Sequence, residues 1–266
     1  GNISDPAIRE PIYYDISPPI YTQIFPTIGS HVNNPRLSFI VSEDLAAGEF
    51  TWAYREGLKD TSAPHIITLT NNERKGDTRT NWTLKNQTEL SDGTVYDLIF
   101  IGQDLAGNQT GFITTPDITY DITLPVFTIL DPINDAYTNY LSLSYELSEP
   151  LREGTVTWTA LNSAKDPESP RMITMELDEM IEGVSSDIVL KNMTSLVDSV
   201  TYSIKMEGSD LATNVGIPFV VSNVHYDFSP PIITLTHPAN NTYQSKTYFN
   251  YQITEDLLYG QVSWIQ

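Results

Sequence analysis

Apolar residues recur at every second position along much of this chain. Leu37, Phe39 and Val41 occupy alternate positions, as do Phe50 and Trp52. This period of two is typical of β-strands with one buried face, whereas no stretch shows a convincing helical period with caps. Residues 176–187 are expected to form no more than a short helical turn.

The first 120 residues contain seven stretches that we predict to be strands, separated by turns rich in Asn, Gly and Pro. They lie near 20–25, 36–41, 48–55, 64–70, 80–84, 94–103 and 111–119. Seven short strands in about 100 residues predict an all-β, two-sheet sandwich.

This pattern returns with a constant spacing of 106 residues. The sequence YDISPP at 14–19 recurs as YDITLP at 120–125 and as YDFSPP at 226–231. Three further landmarks keep the spacing: Glu43, Glu149 and Glu255; Gly48, Gly154 and Gly260; Trp52, Trp158 and Trp264. Since no insertion interrupts the period, the chain is predicted to be part of a tandem array.

The period divides the chain into four parts. Residues 15–120 and 121–226 are predicted to be complete modules. Residues 1–14 are expected to be the C-terminal strand of a preceding module, and 227–266 the N-terminal part of a following one. The prolines of the linkers are expected to stiffen the connections between modules.

A motif ahead of the sixth predicted strand resembles a fibronectin type III signature. Residues 90–96 read LSDGTVY, which is similar to the L-x-x-G-T-x-Y sequence at the start of strand F in fibronectin type III and related immunoglobulin-like domains. The resemblance puts Tyr96 at the tyrosine-corner position. The second copy keeps Leu196 and Tyr202 but has Ser199 in place of the glycine.

The DLAGN sequence at 104–108 and the recurring Tyr-Asp-x-x-x-Pro linker resemble tandem immunoglobulin-like repeats of bacterial and archaeal surface proteins. The resemblance covers the whole chain. It implies tandem seven-stranded Ig-like β-sandwiches with a 106-residue repeat, in an extracellular stalk, adhesin, filament or surface layer (S-layer).

Composition excludes several classes of function. The chain has 34 Asp and Glu against 14 Lys and Arg, a net charge of −20, which disfavours nucleic acid or a polybasic membrane contact. The lack of cysteine excludes disulfides, thiolate nucleophiles, zinc fingers and iron–sulfur clusters. No apolar run of about 18 residues is present, so this segment is predicted not to span a membrane.

Carboxylates are expected to meet where the chain enters each module. In a seven-stranded sandwich the B–C loop, here residues 42–44, and the F–G turn, here 104–108 and 210–214 in the second module, return to this N-terminal pole. Asp15, Glu43, Asp104 and Asn108 are therefore predicted to converge there. The equivalent residues of the next modules are Asp121, Glu149, Asp210 and Asn214, then Asp227 and Glu255.

Clustered oxygen ligands at a junction suit Ca²⁺, which takes 6–8 oxygens. Cadherins and several bacterial adhesins rigidify their junctions in this way, so the resemblance also favours calcium as a cofactor. In the alternative, Asp104 and Asn108 only form a tight turn through side-chain-to-backbone hydrogen bonds, and Glu43 faces water.

Asn-x-Ser/Thr sequons make glycosylation a further expectation. They occur at Asn2, Asn81, Asn86, Asn192 and Asn240, and also at Asn108, which the calcium hypothesis claims as well. Asn86 and Asn192 share one position of the repeat. The alternative is that a Thr-rich β-protein generates sequons by composition alone.

No catalytic motif is recognisable, so the chain is predicted not to be an enzyme. The histidines have no histidine at their repeat positions and are expected at the surface or in linkers: His31, His65, His225 and His237.

A structural or adhesive role is predicted, with copies of the protein, neighbouring surface proteins or glycans as partners. The alternatives are a ligand- or carbohydrate-binding adhesin stalk, whose specificity would lie in the variable connections 55–65 and 161–171, and spacer modules of a secreted hydrolase.

Overall fold

Two sets of eight strands repeat with the 106-residue spacing of the sequence. The computed structural model describes residues 4, 6, 9 and 11–263. The first set is β1 (Tyr21–Phe25), β2 (His31–Val32), β3 (Leu37–Val41), β4 (Leu45–Gly57), β5 (His65–Thr68), β6 (Asp77–Trp82), β7 (Thr94–Asp104) and β8 (Ile113–Tyr120). The second set is β9 (Phe127–Asp131), β10 (Tyr137–Thr138), β11 (Leu143–Leu147), β12 (Leu151–Ala160), β13 (Arg171–Thr174), β14 (Gly183–Ile188), β15 (Val200–Asp210) and β16 (Phe219–Tyr226). Two further strands, β17 (Ile233–His237) and β18 (Asn250–Ile253), take the places of β9 and β11 in the next repeat.

Each set of eight strands forms two sheets. In the first module these are β1-β3-β6 and β2-β8-β7-β4-β5, and in the second β9-β11-β14 and β10-β16-β15-β12-β13. The two-residue strands β2 and β10 pair in parallel with the last strand of their module, and all other pairs are antiparallel. The predicted fold class, tandem β-sandwiches, is therefore confirmed.

The apolar pattern misplaced the edge strand β6 and did not reveal the two-residue strand β2. Strand β6 was predicted at 80–84 but runs from Asp77 to Trp82, because its one buried position is held by Arg79 rather than by an apolar residue. The Arg79 guanidinium donates to the carbonyls of Asn72 and Lys75 and lies 5.4 Å from the Trp82 ring. In the second module, 176–187 holds a single 3₁₀ turn, Leu177–Glu179, followed by β14.

The core of each module lies between its two sheets. Trp52 and Trp158 have no exposed surface and pack edge-on against Tyr96 and Tyr202, at centroid distances of 5.9 and 6.0 Å. Burial of each such ring contributes about 1.5–3 kcal/mol or more to folding. The period-two pattern therefore located the core side chains correctly.

Both predicted corner tyrosines bond to the backbone five residues upstream. The Tyr96 hydroxyl accepts from the Ser91 N–H at 2.9 Å and donates to Asp60 at 2.6 Å. Tyr202 likewise accepts from the Val197 N–H at 3.0 Å and donates to a buried aspartate. The tyrosine-corner geometry is therefore present in both modules.

The surface or linker position predicted for His65 is wrong. Its side chain is buried, and Nε2 lies 2.5 Å from Asp60 Oδ2 beside Tyr96. The second module has Asp166 and Arg171 at these two positions, with a 2.8 Å ion pair. The second module has no histidine at this position because Arg171 takes its place, so the paired aspartates were the better signal.

Candidate cation sites at the module junctions

Three carboxylates converge at the N-terminal pole of the first module. Asp15 lies in the segment ahead of β1, Glu43 in the β3–β4 loop, and Asp104 at the end of β7. One oxygen of each lies within 4.8 Å of one oxygen of each of the others. The loop geometry of the sandwich thus brings together the three acidic residues that the sequence assigned to this pole.

Asp104 is held in place by a tight turn. Its Oδ1 accepts from the N–H groups of Ala106 and Asn108 at 2.8 Å, and its Oδ2 accepts from the Asn108 side-chain amide at 2.8 Å. Burial raises the pKa of Asp104, but these hydrogen bonds outweigh that effect and lower the pKa. The residue is therefore a fixed negative charge at neutral pH.

Glu43 faces this fixed charge. Burial raises its pKa, and the charges of Asp15 and Asp104 raise it further. The neighbouring Asp44 takes no part, because it turns away to Lys75 and the Gly76 N–H, at 2.6 and 2.9 Å. Three carboxylates this close repel one another unless a proton or a cation compensates them.

The same arrangement recurs between the first and second modules. Asp121, Glu149 and Asp210 each place an oxygen within 4.8 Å of the other two. Burial raises the pKa of Glu149 to about 7, with Asp121, Asp210 and the more distant Asp92 adding to the shift. The pKa of Asp121 is raised as well, chiefly by burial and then by Asp210.

Asp227, ahead of β17, and Glu255, just after β18, form part of a third cluster. Burial raises the pKa of Glu255, and Asp227 adds to this through its charge and a hydrogen bond. The two residues predicted for this junction are thus neighbours.

Asn108 and Asn214 bridge the clusters through their amide nitrogens. Asn108 Nδ2 donates to the Asp15 carbonyl at 3.1 Å, and Asn214 Nδ2 donates to the Asp121 carbonyl at 2.9 Å. The Asn214 oxygen accepts from Asn33 of the preceding module at 3.1 Å. In this arrangement each asparagine fastens the linker to the F–G turn. The predicted turn and the predicted convergence of carboxylates therefore exist together.

No Lys, Arg or His side chain lies within ion-pair distance of these carboxylates in the part of the chain that the structure describes, although His31 acts on Asp121 from farther away and opposes the rise in its pKa. The ion pairs found there involve other carboxylates, including Asp44, Asp60, Asp97 and Asp166. The first two clusters are therefore sets of three carboxylates without an ion-pair partner among the described residues. That donor set fits a hard divalent cation such as Ca²⁺.

Most predicted glycan acceptors lie at exposed positions. Asn81, Asn86, Asn192 and Asn240 are exposed, whereas Asn2 lies outside the described residues. The Asn86 amide donates to the Thr68 carbonyl at 3.3 Å, and the Asn192 amide to the Thr174 carbonyl at 3.0 Å. This shared contact accounts for their common repeat position without a glycan, so glycosylation stays a prediction.

Two solved structures align with this chain at low sequence identity. No family model matches it, and no curated protein matches it. A solved structure of Clostridium thermocellum CbhA fibronectin(III)-like modules aligns with 14% identity and a TM-score of 0.35, covering 78% of this chain and 94% of that one. The chicken CNTN1 FN1–FN3 domains align with 10% identity and a TM-score of 0.35, covering 78% and 69%.

The class of protein rests on the strands themselves: a tandem array of β-sandwich modules with acidic junctions. Among the described residues, no helix has the length and apolar character needed to cross a bilayer.

Proposed function

We propose that the chain is an extracellular structural or adhesive protein, in which tandem β-sandwich modules form a rod, surface layer or filament. The observation that carries this proposal is the recurrence of one junction at a constant period. The linkers into the first and second modules each enter beside three equivalent acidic residues, and an asparagine ties each of these two linkers to the F–G turn. Repetition of a fixed junction is what an extended assembly needs.

Ca²⁺ is the proposed cofactor of these junctions. A cation shared by the linker, the β3–β4 loop and the F–G turn would offset the repulsion among three carboxylates and join three segments. Asp15, Glu43 and Asp104 would hold one ion, and Asp121, Glu149 and Asp210 another. Asp227 and Glu255 would begin a third site.

Copies of the same protein or neighbouring surface proteins are the proposed partners. Each three-stranded sheet ends in edge strands that pair with a neighbour on one side only, such as β1 and β6 of the first module among the described strands. Exposed edges of this kind support side-by-side or end-to-end contacts. A surface location would also make the exposed sequons accessible to glycosylation, and mass spectrometry of native material tests that modification.

Thermal unfolding with and without Ca²⁺ tests the cofactor. The unfolding midpoint of the full chain should rise in Ca²⁺ relative to EDTA, because an ion that binds only the folded state stabilises it. Asp15→Asn combined with Asp121→Asn should abolish most of the rise while keeping the acceptor that each side chain offers to its own linker.

Asp44→Asn is the matched control, because it removes a carboxylate from the same pole that is turned toward Lys75. It should leave the response to Ca²⁺ unchanged. Equal midpoints of the unsubstituted protein in Ca²⁺ and EDTA would contradict the calcium proposal.

A further inference from the structure

Two acidic residues outside the clusters lie where each module ends. Asp92 is in the loop between β6 and β7, and Asp198 is in the loop between β14 and β15. They are 106 residues apart, and sequence reasoning missed both as junction residues. The repeat itself could have pointed to them, since each module keeps an aspartate there.

Asp92 uses both carboxylate oxygens to hold the linker that follows its own module. Oδ1 accepts from the Ile122 N–H at 2.8 Å, and Oδ2 accepts from the Thr123 hydroxyl at 2.7 Å. Burial raises the pKa of Asp92, but these hydrogen bonds outweigh it and lower the pKa, so the residue is charged at neutral pH. Its oxygens are occupied, and it stands outside the group of three that includes Asp121.

Asp198 makes the same two bonds at the next junction. Oδ1 accepts from the Phe228 N–H at 2.9 Å, and Oδ2 accepts from the Ser229 hydroxyl at 2.7 Å. The residue that supplies the backbone N–H changes from Ile122 to Phe228, but the next residue keeps a hydroxyl as Thr123 or Ser229. Both junctions therefore keep the same pair of donors to the aspartate, a backbone N–H and a side-chain hydroxyl.

Backbone bonds place the first residue of each linker in the same way. The Asp121 N–H donates to the Val32 carbonyl at 2.9 Å, and the Asp227 N–H donates to the Thr138 carbonyl at 3.0 Å. The preceding module therefore holds three consecutive linker residues, and the first of them belongs to the acidic cluster of the following module.

We propose that Asp92 and Asp198 are positioning residues that fasten the start of each linker to the preceding module and so fix the direction in which the next module leaves. This inference rests on the proposed role of the chain as a rod, but it does not require that the junctions bind Ca²⁺. The angle between modules is then set from both sides, by the aspartate of one module and by the acidic cluster of the next.

Distance measurements between spin labels test the proposal. The chain has no cysteine, so Thr78→Cys and Val184→Cys, at one repeat position on exposed strand residues, place a single label in each module. In EDTA, pulsed electron paramagnetic resonance on the otherwise unsubstituted chain should give one narrow distance distribution. Asp92→Ala should replace it with a broad one.

Two further variants distinguish the effect of the Asp92 hydrogen bonds from the effect of its charge, and a check of folding accompanies them. Thr123→Val keeps the charge of Asp92 but removes one of its partners, and it should broaden the distribution to a smaller extent. Glu89→Gln removes one exposed charge from the same loop and should change nothing. Circular dichroism checks that each variant folds, and Thr123→Val still tests the proposal if Asp92→Ala does not fold.

The two proposals fail in different ways. If Asp92→Ala and Thr123→Val both give the narrow distribution of the unsubstituted chain in EDTA, the positioning role is overturned, whatever Ca²⁺ does. If they broaden it while Ca²⁺ leaves the unsubstituted chain unchanged in both distance and melting, the positioning role stands and the calcium proposal fails.

Discussion

At the scale of single residues, equivalent positions of the two modules can make the same kind of contact with different residues. Asp60 and Asp166 hold the same buried place, but their basic partners are His65 and Arg171. A search for identical residues at the 106-residue spacing finds the aspartates and overlooks the histidine. The sequence predicted the core tryptophans and corner tyrosines because these residues repeat unchanged. It could not predict a buried histidine whose only sign is the acid five residues before it.

Asp60 should make the first module sensitive to acid. Burial raises its pKa, but hydrogen bonds from Tyr96, His65 and the Ser62 N–H outweigh this and lower the pKa to about 2. Because the folded pKa is below the ordinary value, the stabilisation is present above about pH 4 and is lost as the pH falls toward 2; it amounts to about 2 kcal/mol.

Asp60→Asn should therefore destabilise the protein near pH 6, with a difference from the unsubstituted chain that shrinks between pH 4 and 2. Urea unfolding across this range measures the difference. The exposed Asp187→Asn should show no such trend, and a constant difference for Asp60→Asn would refute the assignment.

At the scale of elements, the apolar pattern predicted most strands but not how the loops between them are held. Edge strand β6 was misplaced because Arg79 fills its buried position, and β2 is too short to show a period. The loop between β5 and β6 is held by a buried acid, Glu73, which accepts from the Thr70 and Lys85 N–H groups at 2.7 and 2.6 Å. Polar anchors of this kind leave no periodic trace, so the sequence pattern alone does not locate them.

Glu73→Gln should loosen the loop between β5 and β6. Both carboxylate oxygens accept hydrogen bonds, whereas a glutamine would turn its NH₂ group toward one of the donors, which costs about 1–3 kcal/mol. The free energy of unfolding in urea should fall by that amount, and Glu179→Gln should act alike on the second module, where the N–H groups of Glu176 and Lys191 donate. Glu89→Gln is the exposed control, and an equal loss in that variant would argue against a specific anchor.

At the scale of the whole molecule, the acidic junctions link stability to pH and to cations. The sequence could predict which carboxylates meet, because strand order fixes the pole to which each loop returns. It could not predict how strongly they interact, since this depends on burial and on Asp92, which belongs to the module before. Glu149 shows the outcome: burial and the charges of Asp121, Asp210 and Asp92 raise its pKa to about 7, whereas burial and the charges of Asp15 and Asp104 raise the pKa of Glu43.

Stability in EDTA should therefore fall as the pH rises. A carboxyl whose folded pKa is raised favours the folded state below its ordinary value of 4.5, and this contribution is lost as the pH rises through about 7. The unfolding midpoint of the cation-free chain should decline between pH 5 and 8, and Ca²⁺ should reverse the decline.

Glu149→Gln should flatten the profile in EDTA and also weaken the response to Ca²⁺, because the amide removes both the repulsion and the charge that attracts the ion. Glu146→Gln, on the exposed face of β11, should reproduce the original profile. A Glu149→Gln profile that declines as steeply as that of the unsubstituted chain would show that the pH dependence arises elsewhere.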